Sequence, residues 1–371
     1  RLQKYDPAIA EFQKAIGRDP TSDLAYSALG DAYAGQRNWG DAIAAYQNAI
    51  TRKDTLLTHL QLASAYRAQG KTDNTIAEYH KAATLEPKNS TVPVTLGNLF
   101  SSLGRFDEAV KEYRAAIAIQ TDNVEAYLAM ASVEYKRCNL SAATQTANSA
   151  AAIAPIQSRA RSYLAAMYEA QGRTDDAAKI YTDLRNASTS DPLAHLVVGE
   201  YFYRTGKASE AMREFQIVLE TPNRAAIFSS IAHYDLGQVY TEQDKLIPAE
   251  NEFNLALAAF PPNALAQGRL GDLTLRKGDP AGALKAYDQA VALLPAYAQI
   301  DPDTVAGLNV TLPLGRGLAL LRQNKRDEAN AAFDQALGQA QQLSTVTPHA
   351  PFTRLLLGYV YSVRNDKAKT D

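Results

Sequence analysis

Small and aromatic residues recur along the chain at a nearly constant spacing. A glycine or alanine returns at steps of 33, 34, 34, 34, 34, 38, 34, 46 and 41 residues, at Gly30, Ala63, Gly97, Ala131, Ala165, Gly199, Gly237, Gly271, Gly317 and Gly358. Three residues after each of these positions the side chain is aromatic in seven of ten cases. Since residues three apart share one face of a helix, every step predicts an amphipathic helix.

A second pattern alternates with the first. Its leading position is alanine in nine of ten cases, at Ala8, Ala42, Thr75, Ala109, Ala143, Ala177, Ala211, Ala249, Ala283 and Ala329. An aromatic residue follows after four residues in nine of these ten cases, and a small or aliphatic residue follows three residues later. These steps of four and three predict a second amphipathic helix in each repeat.

Glycine and proline mark the boundaries of the predicted helices. Glycine separates the two patterns of a repeat at Gly70, Gly104, Gly172, Gly206 and Gly278, which predicts a turn at each site. Proline follows the second pattern at Pro20, Pro87, Pro155, Pro261 and Pro295, where we expect the second helix to end. Pro7, Pro248 and Pro280 are predicted to lie at the starts of second helices, and Pro93 and Pro313 at the starts of first helices.

The order Leu-Gly, aromatic, Ala, aromatic, Ala and Pro resembles the tetratricopeptide repeat family. The resemblance extends from Tyr5 to about Asp366, although the tryptophan of the family's first helix is replaced in every repeat, for example by His59, His195 and His233. It implies an all-α fold, a right-handed superhelical α-solenoid of tandem helix-turn-helix repeats. Stacked repeats of this kind bury a face that one hairpin cannot bury alone.

The phase of the repeats predicts how the chain is divided. We expect a trailing second helix in residues 1–22, six regular repeats in 23–225, three repeats with longer insertions in 226–343, and a final first helix and tail in 344–371. The extra residues lie near 225–229, 298–309 and 344–350; they predict loops or helix extensions or, alternatively, a docking element. The half repeats at both ends also suggest a segment of a longer protein without terminal caps. Restoring flanking sequence should then raise the melting temperature.

Composition narrows the functional classes. Hydrophobic residues make up 46% of the 371 residues and charged residues 21%, which is typical of a folded protein. The net charge of -2 provides no overall attraction to nucleic acid or to an anionic membrane, so neither is an expected partner. No apolar run approaches eighteen residues, which predicts no membrane insertion. Compartment and oligomeric state are left unassigned.

No catalytic residue, cofactor or metal ligand is predicted. The motifs HExxH and CxxC and the P-loop are absent from the sequence. His59, His195 and His233 occupy one slot of different repeats, so we interpret them as packing residues rather than as a metal site. Asp175 with Asp176, like Asp107 with Glu108, lies where a second helix is predicted to begin, and acids favour a helix N-terminus. Cys138, the single cysteine, excludes an internal disulfide.

The resemblance implies that a partner binds in the concave groove lined by first helices. Its inner-face positions directly follow the tryptophan slot and recur four residues later, which gives the candidate residues Leu60, Ser64, Val94, Asn98, Leu128, Ser132, Leu196, Glu200, Tyr234 and Gln238. Leu128 and Leu196 are expected to be exposed there; alternatively, these rows face a neighbouring helix and merely pack. Neither row contains lysine or arginine. The Lys, Asn and Arg pattern with which chaperone-binding members of the family hold a terminal carboxylate is absent, and so is the asparagine ladder of the sugar-transferring members.

The leading hypothesis is a protein-interaction scaffold without catalysis of its own, which binds an apolar segment with some positive charge. The alternative is a recognition or regulatory arm of a larger enzyme, such as a glycosyltransferase or a signalling protein. A helical-toroid glycosidase would cluster acids and aromatics at helix ends, whereas the acids here repeat with the period. An RNA-binding repeat would need basic rows in its groove, which are missing.

Overall fold

Residues 5–154, 157–187, 190–298, 300–346, 358 and 361–362 are described by the computed structural model. Within these ranges the secondary structure is helical, which confirms the all-α prediction. The helices are α1 (Tyr5–Arg18), α2 (Asp23–Gly35), α3 (Trp39–Arg52), α4 (Leu56–Ala68), α5 (Thr72–Leu85), α6 (Thr91–Ser102), α7 (Phe106–Ile119), α8 (Val124–Lys136), α9 (Leu140–Ile153), α10 (Ser158–Ala170), α11 (Thr174–Ala187), α12 (Pro192–Arg204), α13 (Ala208–Glu220), α14 (Ala226–Glu242), α15 (Leu246–Ala259), α16 (Ala264–Arg276), α17 (Pro280–Tyr297), α18 (Pro302–Arg322) and α19 (Arg326–Val346).

Consecutive helices pack as hairpins, beginning with α2 and α3 and ending with α18 and α19. Helix α1 precedes the first hairpin and packs on α2. The chain forms two compact units, residues 1–130 and 131–371. Both units are built from the same tandem helical hairpins, so the predicted solenoid of helix-turn-helix repeats is confirmed.

A residue with left-handed backbone closes each first helix. Gly70 has φ of 72° and Gly278 has φ of 84°, values that cost glycine little because it has no Cβ. The N–H of Lys71 then donates to the carbonyl of Tyr66 at 3.0 Å, the hydrogen bond of a Schellman cap. Other repeats place a non-glycine residue at the same turn, including Arg37 at φ of 60° and Cys138 at φ of 57°. The turn therefore recurs even where glycine does not.

In six of the described hairpins the core contains an aromatic ring that lies over a glycine. A Cβ added to Gly97 would lie 2.6 Å from Cε1 of Tyr113, and one added to Gly237 would lie 2.6 Å from Cε1 of Phe253. In both cases the glycine is on the first helix and the ring is on the second helix of the same hairpin. The repeated glycine and the repeated aromatic residue are thus two halves of one contact.

Two prolines lie inside helices, contrary to the sequence prediction. Pro295 was expected to end a second helix, yet α17 continues through it to Tyr297. The helix continues because its last turn is bonded, with the N–H of Ala298 donating to the carbonyl of Leu294 at 2.8 Å, and because Leu294 and Tyr297 pack against the core. Pro313 was expected at the start of a first helix but lies well inside α18.

The insertions near 225–229 and 298–309 lengthen helices, which is one of the alternatives that the sequence predicts. Residues 225–229 add a turn to the start of α14, which begins at Ala226. Residues 298–309 include the N-terminal part of α18, which begins at Pro302, and α17 before them continues to Tyr297. The prediction of a final first helix and tail in 344–371 falls largely outside the described residues.

Helix α18 contains a segment that is long and apolar enough to be considered as a membrane span. Its segment Thr304–Arg322 has a mean hydropathy of 1.3 over its most apolar stretch and passes a membrane-span test by length and composition. However, 56% of that stretch is buried inside the fold. Leu308, Leu312 and Ala319 belong to one core cluster with α16 and α17. A core helix passes the same test, so this segment is only weak evidence for a membrane span.

Candidate partner-binding surface

Three of the five candidates in the first predicted row of inner-face residues are buried. Leu128 and Leu196 are each 2% exposed, so the expectation that they are exposed leucines is wrong. Val94, in the same row, is also buried. Leu196 contacts the core formed with Ala232 and Leu236 of the next first helix, α14. Leu196 therefore faces the following hairpin.

The other candidates keep part of their surface. Ser64 and Asn98 are exposed, while Leu60, Ser132, Glu200, Tyr234 and Gln238 are half-buried. Most of them belong to the second row, which lies four residues, about one helical turn, beyond the first. This row is polar, so the accessible residues of the predicted groove are mainly polar.

Tyrosine hydroxyls from the core reach the second row. Tyr46 donates to Asp31 at 2.8 Å, Tyr113 donates to Asn98 at 2.7 Å, and Tyr287 donates to Asp272 at 2.7 Å. Each tyrosine is the ring that covers the glycine of its own hairpin. The same side chain thus fills the core and orients a polar residue at the surface.

Neighbouring hairpins of the first unit are joined by complementary polar groups on this face. The amide of Gln61 donates to Asp31 at 2.9 Å, and Ser27 donates to Oε1 of Gln61 at 2.9 Å. Gln61 stands two residues after its tryptophan slot, and Asp31 is in the second row of the preceding repeat. This pair of slots therefore joins a donor to an acceptor.

The same pair of slots in the second unit holds two acids, Asp235 of α14 and Glu200 of α12. Asp235 is 7% exposed, and its Oδ1 accepts only a long hydrogen bond of 3.4 Å from Gln238. Its Oδ2 is buried without a hydrogen-bond partner among the described residues. Burial raises the pKa of Asp235 well above its ordinary value, and the nearby Glu200 raises it further. The site therefore holds two neighbouring acids, and burial favours the protonated form of Asp235.

Two arginines lie beside acids of the second row, and the row spacing did not find them. Arg204 lies 2.9 Å from Glu169 and 3.8 Å from Glu200, and Arg269 lies 3.1 Å from Asp272. Arg269 also lies close to Tyr234. Both arginines lie outside the two predicted rows, and a long side chain covers surface away from its own Cα. We call Glu200, Arg204, Asp235, Gln238, Arg269 and Asp272 the polar strip.

The three slot histidines have partners within their own hairpins. Nδ1 of His59 lies 2.5 Å from Glu78, that of His195 lies 2.7 Å from Glu214, and that of His233 lies 2.7 Å from Glu252. Each glutamate stands on the second helix of the hairpin. A polar pair therefore occupies the slot where the family has tryptophan. No cluster of three His, Cys, Asp or Glu side chains suited to a metal occurs in the part of the chain that the structure describes.

The acid pairs and the cysteine contribute no additional site. Asp175 and Asp176 lie in the first turn of α11, and Asp107 and Glu108 lie in that of α7, as predicted. Cys138 is exposed in the turn before α9.

Family models match most of the chain. A model described as tetratricopeptide repeat matches residues 1–56, 168–226, 234–298 and 314–369, a second matches 58–89, and one described as TPR repeat matches 97–137. Tetratricopeptide repeat protein 8 of Caenorhabditis elegans is 22% identical over 64% of this chain and 40% of that protein. Human Protein O-mannosyl-transferase TMTC1 is 24% identical over 54% of this chain and 23% of that protein. The chain spans less than half the length of these two relatives.

Solved structures share the fold. A tetratricopeptide repeat protein from Parabacteroides merdae superposes with a TM-score of 0.50 at 17% identity, covering 71% of this chain and 98% of that chain. The human IFIT1 dimer with m7Gppp-AAAA superposes with a TM-score of 0.50 at 12% identity, covering 94% of this chain and 88% of that chain. The repeat spacing, the hairpins and the family match agree, and the chain belongs to the tetratricopeptide repeat family, whose repeats typically serve as protein-interaction scaffolds.

Proposed function

We propose that this chain is a non-catalytic scaffold that holds a segment of a partner protein along the polar strip. The observation that carries the proposal is the pairing of Asp235 with Glu200, in slots that join a donor to an acceptor in the first unit. An acceptor buried without a donor costs free energy in the isolated chain. A positively charged side chain of a partner beside Glu200 and Asp235 would favour the ionised form of both acids and supply hydrogen-bond donors to them.

The charge of the partner segment follows from these groups. Lysine and arginine carry donors only, and they form strong charge-assisted hydrogen bonds with carboxylates. Arg204 already lies against Glu169 and Glu200, so Asp235 has the greater need for a new donor. We therefore infer a segment with a lysine or arginine that reaches between Glu200 and Asp235.

A displayed library of random peptides, selected on the intact chain, tests this proposal. Selected peptides should be enriched in lysine or arginine beside apolar residues. The double variant Glu200→Gln and Asp235→Asn should bind the same peptides about tenfold more weakly or worse, because it removes both charges.

The matched control changes two exposed acids, Asp175→Asn and Glu210→Gln, and alters the net charge equally. It should retain the binding of the parent chain. If both double variants lose affinity alike, the attraction is a diffuse charge effect and the polar strip is not the site. Selected peptides without positive charge would contradict the inferred partner chemistry.

The second candidate is a recognition or regulatory arm of a larger enzyme, such as a glycosyltransferase or a signalling protein. It is supported by the match to an O-mannosyl-transferase of which this chain covers only 23%. The sequence of the full gene decides between the two candidates: a catalytic domain beside the repeats favours the arm, and repeats alone favour the scaffold.

A further inference from the structure

The lengthened part of α18 forms one wall of a partly open cavity next to the polar strip. The repeat step of 46 residues here exceeds the common step of 34, and the extra residues extend α18 at its N-terminal end. That extension packs toward α16, where Leu308 and Leu312 join the core cluster that also contains the neighbouring Leu265. A cavity of about 410 Å³ lies between α16, α17 and α18.

The walls of the cavity are mainly apolar. Leu265, Leu308 and Leu312 line it together with Gly307 and Tyr287. Glycine leaves room at a helix surface where another residue would fill the space. The volume is near the lower end of the range of about 300–1,000 Å³ for ligand pockets, so it fits a single large side chain better than a folded element.

The polar groups of the cavity present both a donor and an acceptor. Arg269 and Asp272 lie on its wall, and their side chains are 48% and 45% exposed. A guanidinium can donate to a peptide carbonyl, and a carboxylate can accept from a peptide N–H. A paired arginine and aspartate suit a neutral group with both functions, and the peptide backbone has both.

The cavity is continuous with the polar strip. Arg269 and Asp272 belong to both, and Arg269 also lies close to Tyr234 of α14. A segment lying along the strip therefore passes the mouth of the cavity. This continuity favours a residue of a bound segment over an unconnected small molecule as the occupant.

We propose that the cavity beneath the lengthened α18 anchors one large apolar side chain of the partner segment, while Arg269 and Asp272 bind the backbone beside it. This proposal rests on the proposed scaffold function. It adds a large apolar side chain as a second feature of the partner segment. It also gives the insertion at 298–309 a role in recognition.

Single-residue probes test the cavity without the natural partner. N-acetyl-leucinamide, N-acetyl-phenylalaninamide and N-acetyl-tryptophanamide would each be titrated into the intact chain, with N-acetyl-alaninamide as the small control. We expect saturable shifts of the methyl NMR signals of Thr304, Leu308 and Thr311 for at least one large probe. The alanine probe should bind about tenfold more weakly or worse, because it buries less apolar surface.

A variant that fills the cavity provides a second test of this proposal. Thr311 is exposed and lines the cavity, so Thr311→Phe should fill it and abolish these shifts while the circular dichroism spectrum is kept. Thr182→Phe makes the same change at an exposed position of α11 and should bind like the parent. If Thr311→Phe does not fold, Thr311→Leu is the smaller filling variant and should weaken the shifts.

The outcomes separate this proposal from the scaffold proposal. If peptides are selected but no amide shifts the cavity signals and Thr311→Phe binds those peptides normally, the anchor is wrong and the scaffold stands. If the amides bind but no peptide is selected, the scaffold fails although the cavity accepts a residue. Stronger binding of octanoate than of every amide would overturn the anchor in favour of a free amphiphile.

Discussion

At the scale of single residues, the glycines that lie under an aromatic ring have no room for a Cβ. Gly237→Ala would place a Cβ 2.6 Å from Phe253, so the ring or a helix must move. We expect a loss of about 1–3 kcal/mol of stability, measured from urea unfolding. Gly338→Ala is the matched control, because nothing lies within 4 Å of its added Cβ inside α19. It should stabilise by up to about 1 kcal/mol. Equal effects of the two variants would show that the assignment of the contact is wrong.

Asp235 predicts a specific dependence of stability on pH. Its pKa is raised in the folded chain, chiefly by burial and then by Glu200, so folding favours its protonated form. The contribution is complete below the unfolded pKa of about 3.9 and is lost as the pH rises through the raised value. Asp235→Asn removes this loss, so its stability relative to the parent should increase between pH 4 and pH 7 in urea unfolding. The exposed control Asp175→Asn should follow the parent; a parallel profile for Asp235→Asn would refute the prediction.

The position of a residue around its helix also limited how well the sequence predicted the exposed surface. The inner-face rows included Glu200 and Gln238, which keep part of their surface, but assigned an exposed position to Leu196, which is 2% exposed. Successive residues of a helix are rotated by about 100°, so a small difference in the tilt of the next hairpin decides whether a leucine is covered. Asp235 stood outside both rows, and only its unpartnered oxygen marks it.

At the scale of the element, the turn between helices provides a test of backbone strain. Arg37 has φ of 60° where other repeats have glycine, and a side chain in this region costs about 1–2 kcal/mol. Arg37→Gly should recover part of that cost and raise the urea midpoint. Gly206→Ala, at φ of 76°, should lower it for the same reason. An unchanged midpoint for both variants would show that the turns relax without strain.

Helix existence was predicted well, whereas helix length was not. The steps of three and four residues reflect the helical period, so the alternating patterns located both helices of each hairpin. The sequence predicts that Pro295 ends α17 and that Pro313 lies at the start of α18, but both prolines lie inside their helices. Packing of the extended turns against the core of α16 overrides the local preference of proline, and no local pattern reports such a distant contact.

At the scale of the whole molecule, the repeats predict local rather than uniform loosening. Each hairpin of a solenoid contacts its neighbours, so its stability is close to a sum of local terms. Gly97→Leu would overpack Tyr113 and should increase hydrogen exchange in α6 and α7 and in the adjoining hairpins. Exchange in α16–α19 should stay at the level of the parent. Equal loss of protection in every helix, measured by mass spectrometry, would indicate one cooperative unit instead.

The histidine–glutamate pairs make it easier for such an array to gain or lose whole repeats. His59 and Glu78 are 19 residues apart, as are His195 and Glu214, so both partners lie within a single hairpin. A duplication or deletion of one whole repeat copies or removes such a pair intact and leaves no buried charge behind. Links such as Gln61 to Asp31 cross between hairpins and must be formed anew at every junction. Changes in repeat number should therefore be limited by compatibility at the junctions, and the acidic junction at Glu200 and Asp235 should be the hardest to transplant.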